Sequence, residues 1–502
     1  MSVAAGLQEV WRQRRFRRLL SVKLLSQTGD GIVQVGVASF ALFSPERQPD
    51  AWAIAGVLAI MMLPFSVLGP FVSVVIDRWD RRRTVMTADV IRMALSVALA
   101  AFVLASGRSA LFLAPIMVTA LVVLSLERFQ VATLLSGLPH TIDKDEFLAA
   151  NTALPLVGPL GVMIGAAVAA AIRLTVGAAW SPVVADACIF SLGAGCFLFS
   201  AAVMRGFAPR SLGPGRIEVH RLNETFRDLA AAARHLGQRK PALLGLLLVA
   251  AQRTVFGFIS VAVILLFRNY FHARDDIPGA IGDLALWALA TGAGFVLASA
   301  VNPVLARRFG LRVTVVAALA LSALFQAAPG SFFIPPALVV ASFLIGLWAQ
   351  CVKMNCDTLI QAHVADEFKG RVLVLYDIAF NTPMVIAGVI AALLLPDDGR
   401  SRAAFLGCAV LYLALAAVFA GLSRRIGTAR FSQGTESLTG KTGPTPVGAG
   451  GPLGREEGRQ AGPPPVGEGA GPGSVGEGAV GNVALPDVAV GNAAVAEEAG
   501  EI

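Results

Sequence analysis

Residues 52–76 read WAIAGVLAIMMLPFSVLGPFVSVVI, 25 positions without one charged side chain. At about 1.5 Å per helical residue, such a block crosses a hydrocarbon layer about 30 Å thick. A bilayer core offers no partner to an open backbone group, so the block crosses as a helix. It does not alternate as a barrel strand would.

Eleven more blocks of this kind flank it. The twelve expected spans are 19–43, 52–76, 84–105, 111–135, 153–176 and 183–204, then 242–267, 281–305, 313–328, 332–359, 372–395 and 403–422. The fold class expected is an all-α membrane protein of about twelve transmembrane helices in two six-helix halves. Composition agrees: 56% of the 502 residues are hydrophobic, 15% are charged, and the mean hydropathy is +0.69. No water-soluble core absorbs that much apolar surface.

Orientation follows from the cations. About 26 Lys and Arg residues lie before the first span, in the even-numbered connectors and just after the last span, against fewer than ten in the odd-numbered connectors. Cytoplasmic loops carry the excess of positive charge, which puts both termini in the cytoplasm of a multi-pass inner-membrane protein. Arg12 to Arg18 precede an apolar stretch too long for a secretory leader and lacking a small-residue cleavage pattern, so that stretch reads as a retained first helix.

The longest connector, 205–240, separates a first half at 1–204 from a second at 241–428. Within it Leu222, Phe226, Leu229, Ala233 and Leu236 recur at helical spacing among polar residues. The expectation is either an amphipathic helix on the inner membrane surface or a plain tether. Residues 429–502 turn to Gly, Pro, Ala, Val and Glu with near-repeats VGEGA and AVGN, the composition of a disordered cytoplasmic tail.

Several function classes are excluded. The net charge of +8 sits in short loops and makes no continuous stripe, so no nucleic acid is expected. The five cysteines show neither disulfide nor zinc spacing. The five histidines are scattered through connectors, and no catalytic triad, phosphate loop or metal cluster is present. The chain reads as a non-enzyme with no cofactor and no metal, acting as a monomer on the bilayer, protons and a small-molecule substrate.

Two equal halves joined by a basic loop resemble the major facilitator superfamily. Local motifs strengthen the likeness. Ser73-Val-Val-Ile-Asp77-Arg78-Trp79-Asp80-Arg81-Arg82-Arg83 is similar to the superfamily loop G-x-x-x-D-R-x-G-R-R, with both glycines replaced. The resemblance implies a cytoplasmic gate of Asp77, Arg78, Arg81 and Arg82, whose carboxylate bonds guanidiniums in one conformational state and releases them in the other. Positive-inside anchoring is the alternative. The second-half copy, Ala306-Arg307-Arg308-Phe309-Gly310-Leu311-Arg312, puts Arg307 where the acid would stand.

Gly158, Pro159, Gly161 and Gly165 resemble the antiporters' glycine-proline motif and predict a tightly packed bend in the fifth span. Phe16-Arg17-Arg18-Leu19, Ser26-Gln27-Thr28-Gly29-Asp30, Ala149-Ala150-Asn151 and Phe368-Lys369-Gly370-Arg371-Val372 resemble macrolide-efflux and siderophore-exporter-like permeases. That likeness implies export of a small molecule, with a lipid flippase or a transport-inactive scaffold as the rivals.

Charge at lipid depth is costly and carries a task or a partner. Asp30, near mid-span, suits proton coupling; a fixed pair with a cation on another helix is the alternative. Arg128, resembling the superfamily's R-x-x-Q-G with Gln130 one position early, is a candidate partner of Asp30, or of Asp89 or Asp77. Glu127 and Arg253 join the coupling or cargo cavity, and Gln350 and Asn355 offer it polar edges. Asp89, Arg92, the Lys353 and Asp357 pair, and Asp377 with Asn381, each four apart, are placed with the inner gate.

Overall fold

The computed structural model describes residues 13–42, 50–76, 80–106, 112–138, 141, 147–212, 222–273, 276–427 and 431. Asp77 and Arg78 of the loop motif, and the tail beyond Phe431, lie outside them. The first half holds α1 (Arg14–Leu42), α2 (Ala51–Ile76), α3 (Arg81–Ser106), α4 (Leu113–Gly137), α5 (Phe147–Ala179) and α6 (Pro182–Met204). A connector helix α7 (Leu222–Gln238) follows. The second half holds α8 (Lys240–Leu265), α9 (Ile277–Phe309), α10 (Leu311–Ala327), α11 (Pro335–His363), α12 (Asp366–Leu394) and α13 (Arg402–Ile426).

Most of these helices overrun their apolar blocks. Backbone bonding continues as long as capping allows, whatever the side chains. α6 starts at Ser181, whose hydroxyl accepts from Val184 N at 3.2 Å, with Pro182 next. α13 starts the same way, Ser401 accepting from Ala404 N at 3.2 Å. α9 stops at Gly310 and α13 at Gly427, both in positive-φ backbone (80° and 87°) that glycine alone adopts without strain. α8 passes into a π-helical turn at Leu266–Phe271.

Nine helices, among the described residues, are long and apolar enough to cross a membrane. Leu311–Ala327 is a shorter apolar helix, and Ala51–Pro64, the first part of α2, is apolar as well. α1 drops below that apolarity because Gln27, Asp30 and Gln34 interrupt its apolar run. Large apolar side chains cover the outside, as lipid permits: Leu289, Val296, Leu394 and Val410 are all more than 60% exposed.

The two halves repeat one pairing pattern. In each, the fifth helix packs on the first, the sixth on the third and the fourth on the second: α5 on α1, α6 on α3, α4 on α2, then α12 on α8, α13 on α10, α11 on α9. The halves meet chiefly where α2 lies along α12. There a Cβ on Gly388 would stand 3.0 Å from the Ala55 Cα, and Met62 packs with Phe256 and Met384. Glycine at position 388 is what lets the two backbones approach.

α7 docks on the bundle. Ala232 and Leu236 are buried with Leu246, Ile360, Val372 and Tyr376. The Arg371 guanidinium reaches Asp228 at 3.0 Å, and the His235 ring stacks on Phe368 at 4.4 Å. Of the expected stripe, Leu236 packs on protein and Ala233 is exposed; the side chains of Leu222 and Phe226 lie outside the described ones.

Candidate functional site

Inside the first half, α1, α3, α4 and α6 bring buried charge together. Asp30 and Asp89 are fully buried, and so is Arg92. Arg92 forms an ion pair with Asp30 and a second with Asp89 at 3.1 Å. Asp89 also accepts from Ser26 at 3.1 Å and from Ser200 at 2.6 Å. The Gln27 amide donates to Asp30 at 2.8 Å and to Glu127 at 3.1 Å, bridging two carboxylates. The Arg92 guanidinium also donates to Ser26 at 2.7 Å and lies 4.0 Å from the centroid of the Phe197 ring. Two carboxylates therefore share one guanidinium, Gln27 links a third carboxylate to them, and a buried cluster of that kind changes energy sharply when a proton arrives or leaves.

The sequence places Asp89 and Arg92 with the gate and offers Arg128 as a partner of Asp30, or of Asp89 or Asp77. Arg92 supplies the guanidinium on Asp30 and Asp89. The reason is helix phase: Asp89 and Arg92, three apart on α3, turn inward together toward α1. Arg81 and Arg82 bond backbone in their own half. Arg81 donates to the carbonyls of Ser136 and Leu212, both at 2.9 Å, and Arg82 reaches the Arg205 carbonyl at 3.4 Å. Asp80 caps α3 by accepting from Arg82 N at 3.2 Å.

The α5 glycines serve close packing. A Cβ on Gly161 would fall 2.9 Å from the Gln27 Cβ, and one on Gly165 would overlap the Thr28 carbonyl oxygen. Gly158 faces Gln27 and Lys23, and Pro159 is half-buried. α1 answers with Gly31, whose Cβ would overlap the Val162 carbonyl.

In the second half, Arg253 on α8 lies 3.9 Å from the Phe380 ring centroid and donates to the Phe380 carbonyl at 3.5 Å. Lys353 faces the same ring at 5.1 Å and meets Asp357 at 3.5 Å, the pair expected from their spacing. Asn355 donates to Asn302 at 2.6 Å. The Gln350 side-chain oxygen is buried with no hydrogen-bond partner among the described residues. Asn381 donates to the Asp377 backbone carbonyl at 3.0 Å.

Sequence reading missed two clusters. Ser39, Arg173 and Asp186 join α1, α5 and α6: Arg173 donates to Ser39 at 2.8 Å and Ser39 donates to Asp186 at 2.7 Å. Both charges lie within apolar blocks, the same signal that marked Asp30, but close to span ends where charge is ordinary. At the same end of the bundle, His272 holds Asp276 at 2.7 Å and Asp283 at 3.0 Å with its two ring nitrogens. Partial burial opposes charging of His272, but the two carboxylates outweigh it and raise its pKa above the ordinary 6.5; hydrogen bonding to His272 in turn lowers that of Asp276.

The pairing pattern of the helices and a charged cluster held inside apolar walls define a membrane transporter. The sequence profile of the Major Facilitator Superfamily matches residues 242–450. Uncharacterized MFS-type transporters of Mycobacterium tuberculosis and Mycobacterium bovis are each 33% identical over 425 residues, covering 83% of this chain and 94% of theirs. The chain belongs to the Major Facilitator Superfamily. Among solved structures, the nucleoside transporter NupG aligns with a TM-score of 0.56 at 11% identity, over 84% of this chain and 99% of its own. An auto-inhibited POT family peptide transporter aligns at 0.57 and 14% identity, over 82% of this chain and 97% of its own. At such identities the likeness is one of fold.

Proposed function

We propose that the chain exports a small molecule by alternating access, in exchange for protons, across the inner membrane with both termini in the cytoplasm. The observation that carries this reading is the buried meeting of Asp30, Asp89 and Glu127 around Arg92 and Gln27. A proton on one carboxylate frees a share of Arg92 for the others. Because the cluster ties α1 to α3, α4 and α6, protonation shifts the packing of the half that must tilt. The resemblance of the α1 and α5 motifs to exporters favours outward transport. The cation-rich connectors favour the stated orientation.

The test is counterflow and efflux in proteoliposomes under an imposed pH gradient, with candidate drug-like compounds and metabolites. Asp30→Asn is expected to abolish gradient-driven accumulation while leaving exchange at equal pH. Unchanged gradient-driven transport in this variant removes Asp30 from coupling.

A further inference from the structure

The connector helix is fastened to the second half. Only Arg239 separates the end of α7 at Gln238 from the start of α8 at Lys240. Its backbone bonds in both directions: Arg239 N donates to the Leu236 carbonyl and Leu243 N to the Arg239 carbonyl, each at 3.0 Å. Side chains tighten the hold. His235 stacks on Phe368, and its Nε2 accepts from the N–H of Ala365, the residue before α12, at 3.5 Å. Ala232 and Leu236 share a buried cluster with Val364 and Val372. α7 therefore moves with α8 and α12.

It also touches the other half. α7 lies against α2 as well as α12, the two helices of the seam. Those helices run antiparallel, since Gly388 meets Ala55 while Met384 packs with Met62. Their direct packing gathers at the start of α2 and the end of α12, where Ala51, Ile54 and Val57 join one apolar cluster with Ala387 and Ala391. α7 sits at the opposite end, on the first turns of α12 at Phe368, Arg371, Val372 and Tyr376. A helix with its side chains is about 10 Å across, and one seated against both ends resists their closing.

We propose that α7 is a wedge: seated on α12 and against α2, it keeps the inner ends of the seam helices apart, holds the protein open to the cytoplasm, and shifts its seat before the outer side opens. It rests on the transport reading and orientation given above, in which the start of α2 and the end of α12 face outward. Rocking toward the outward-open state drives the end of α2 against a helix that the second half carries with it, so the seat of α7 sets the balance of the two states. Ala232 and Leu236 supply most of that seat, and the exposed pair of Arg371 and Asp228 supplies less.

Pulsed EPR on the full-length chain in nanodiscs reads this balance without cargo. The spin labels sit on Arg83→Cys and Arg308→Cys, exposed positions at the inner ends of α3 and α9, one in each half, with the five native cysteines replaced by alanine. Leu236→Glu and Ala232→Glu, which push a carboxylate into the apolar seat, are each expected to raise the short-distance population several-fold. Ala233→Glu puts the same charge on the exposed face next door and is expected to leave the distances as they are. Arg371→Asp, which disturbs no core, is expected to shift them the same way by less, and adding Asp228→Arg to reverse that shift. Distances that stay unmoved in both Leu236→Glu and Arg371→Asp, or that lengthen, overturn the wedge. If the distances shift but no pH-driven flux is found, the transport reading falls and the wedge stands; if flux is found with distances unmoved, only the wedge falls.

Discussion

The Phe197 ring is held between Gly29 and the Arg92 guanidinium: a Cβ on Gly29 would come 2.6 Å from its edge, while the guanidinium carbon stands 4.0 Å from its centroid. Phe197 is fully buried and has nowhere to retreat. Gly29→Ala therefore displaces the ring from Arg92 and destabilises the protein by about 1–3 kcal/mol, the usual range for overpacking. Thermal unfolding in detergent reads the loss, and adding Phe197→Leu is expected to restore part of it.

Removing the guanidinium is costlier. Arg92→Leu leaves Asp30 and Asp89 buried without the cation they share and is expected to cost about 3–5 kcal/mol. A triple variant that also carries Asp30→Leu and Asp89→Leu leaves no buried charge stranded among these three positions. Its Tm is expected to lie well above that of Arg92→Leu alone, and a further drop would mean the acids are satisfied without Arg92.

Gly165 and Gly195 make a matched pair of tests. Gly165 faces the Thr28 carbonyl, so Gly165→Ala forces α1 and α5 apart; Gly195 on α6 has open space where its Cβ would go. Gly165→Ala is expected to lower both expression and Tm. Gly195→Ala should be neutral or slightly stabilising.

The His272 cluster gives stability a pH dependence of known sign. Its pKa is raised on folding, so its contribution is fully present below the unfolded value of 6.5 and is lost as pH rises through the folded value. Asp276, lowered on folding, contributes above its unfolded value of 3.8, and that share is lost as pH falls through its folded value. A Tm profile from acid to alkaline pH should decline on the alkaline side in wild type and flatten there in His272→Gln.

Phe431 is the last of the described residues, and it is tied to the bundle. It is buried, with its ring 5.9 Å from Phe419 and 5.2 Å from the Arg312 guanidinium. Truncation after Phe431 is expected to preserve both Tm and flux, whereas truncation just before it lowers Tm.

The helices were legible because length and apolarity alone decide them in a bilayer. Asp30 was legible as a charge at mid-span. Its partner was not, because which face of α3 turns toward α1 depends on helix rotation. The branched network through Ser26, Gln27 and Ser200 was out of reach, since small polar residues are ordinary in membrane helices.

Two arginines hold matching positions in the halves. Arg82, opening α3, bonds the carbonyl of Arg205 just past α6, and Arg312, opening α10, bonds that of Ser423 near the end of α13, at 2.8 Å. Each brace begins and ends within a single six-helix unit. In the proposed alternating-access cycle, rocking one unit against the other would neither stretch nor break them, and the energetic cost of switching would fall on the seam along α2 and α12.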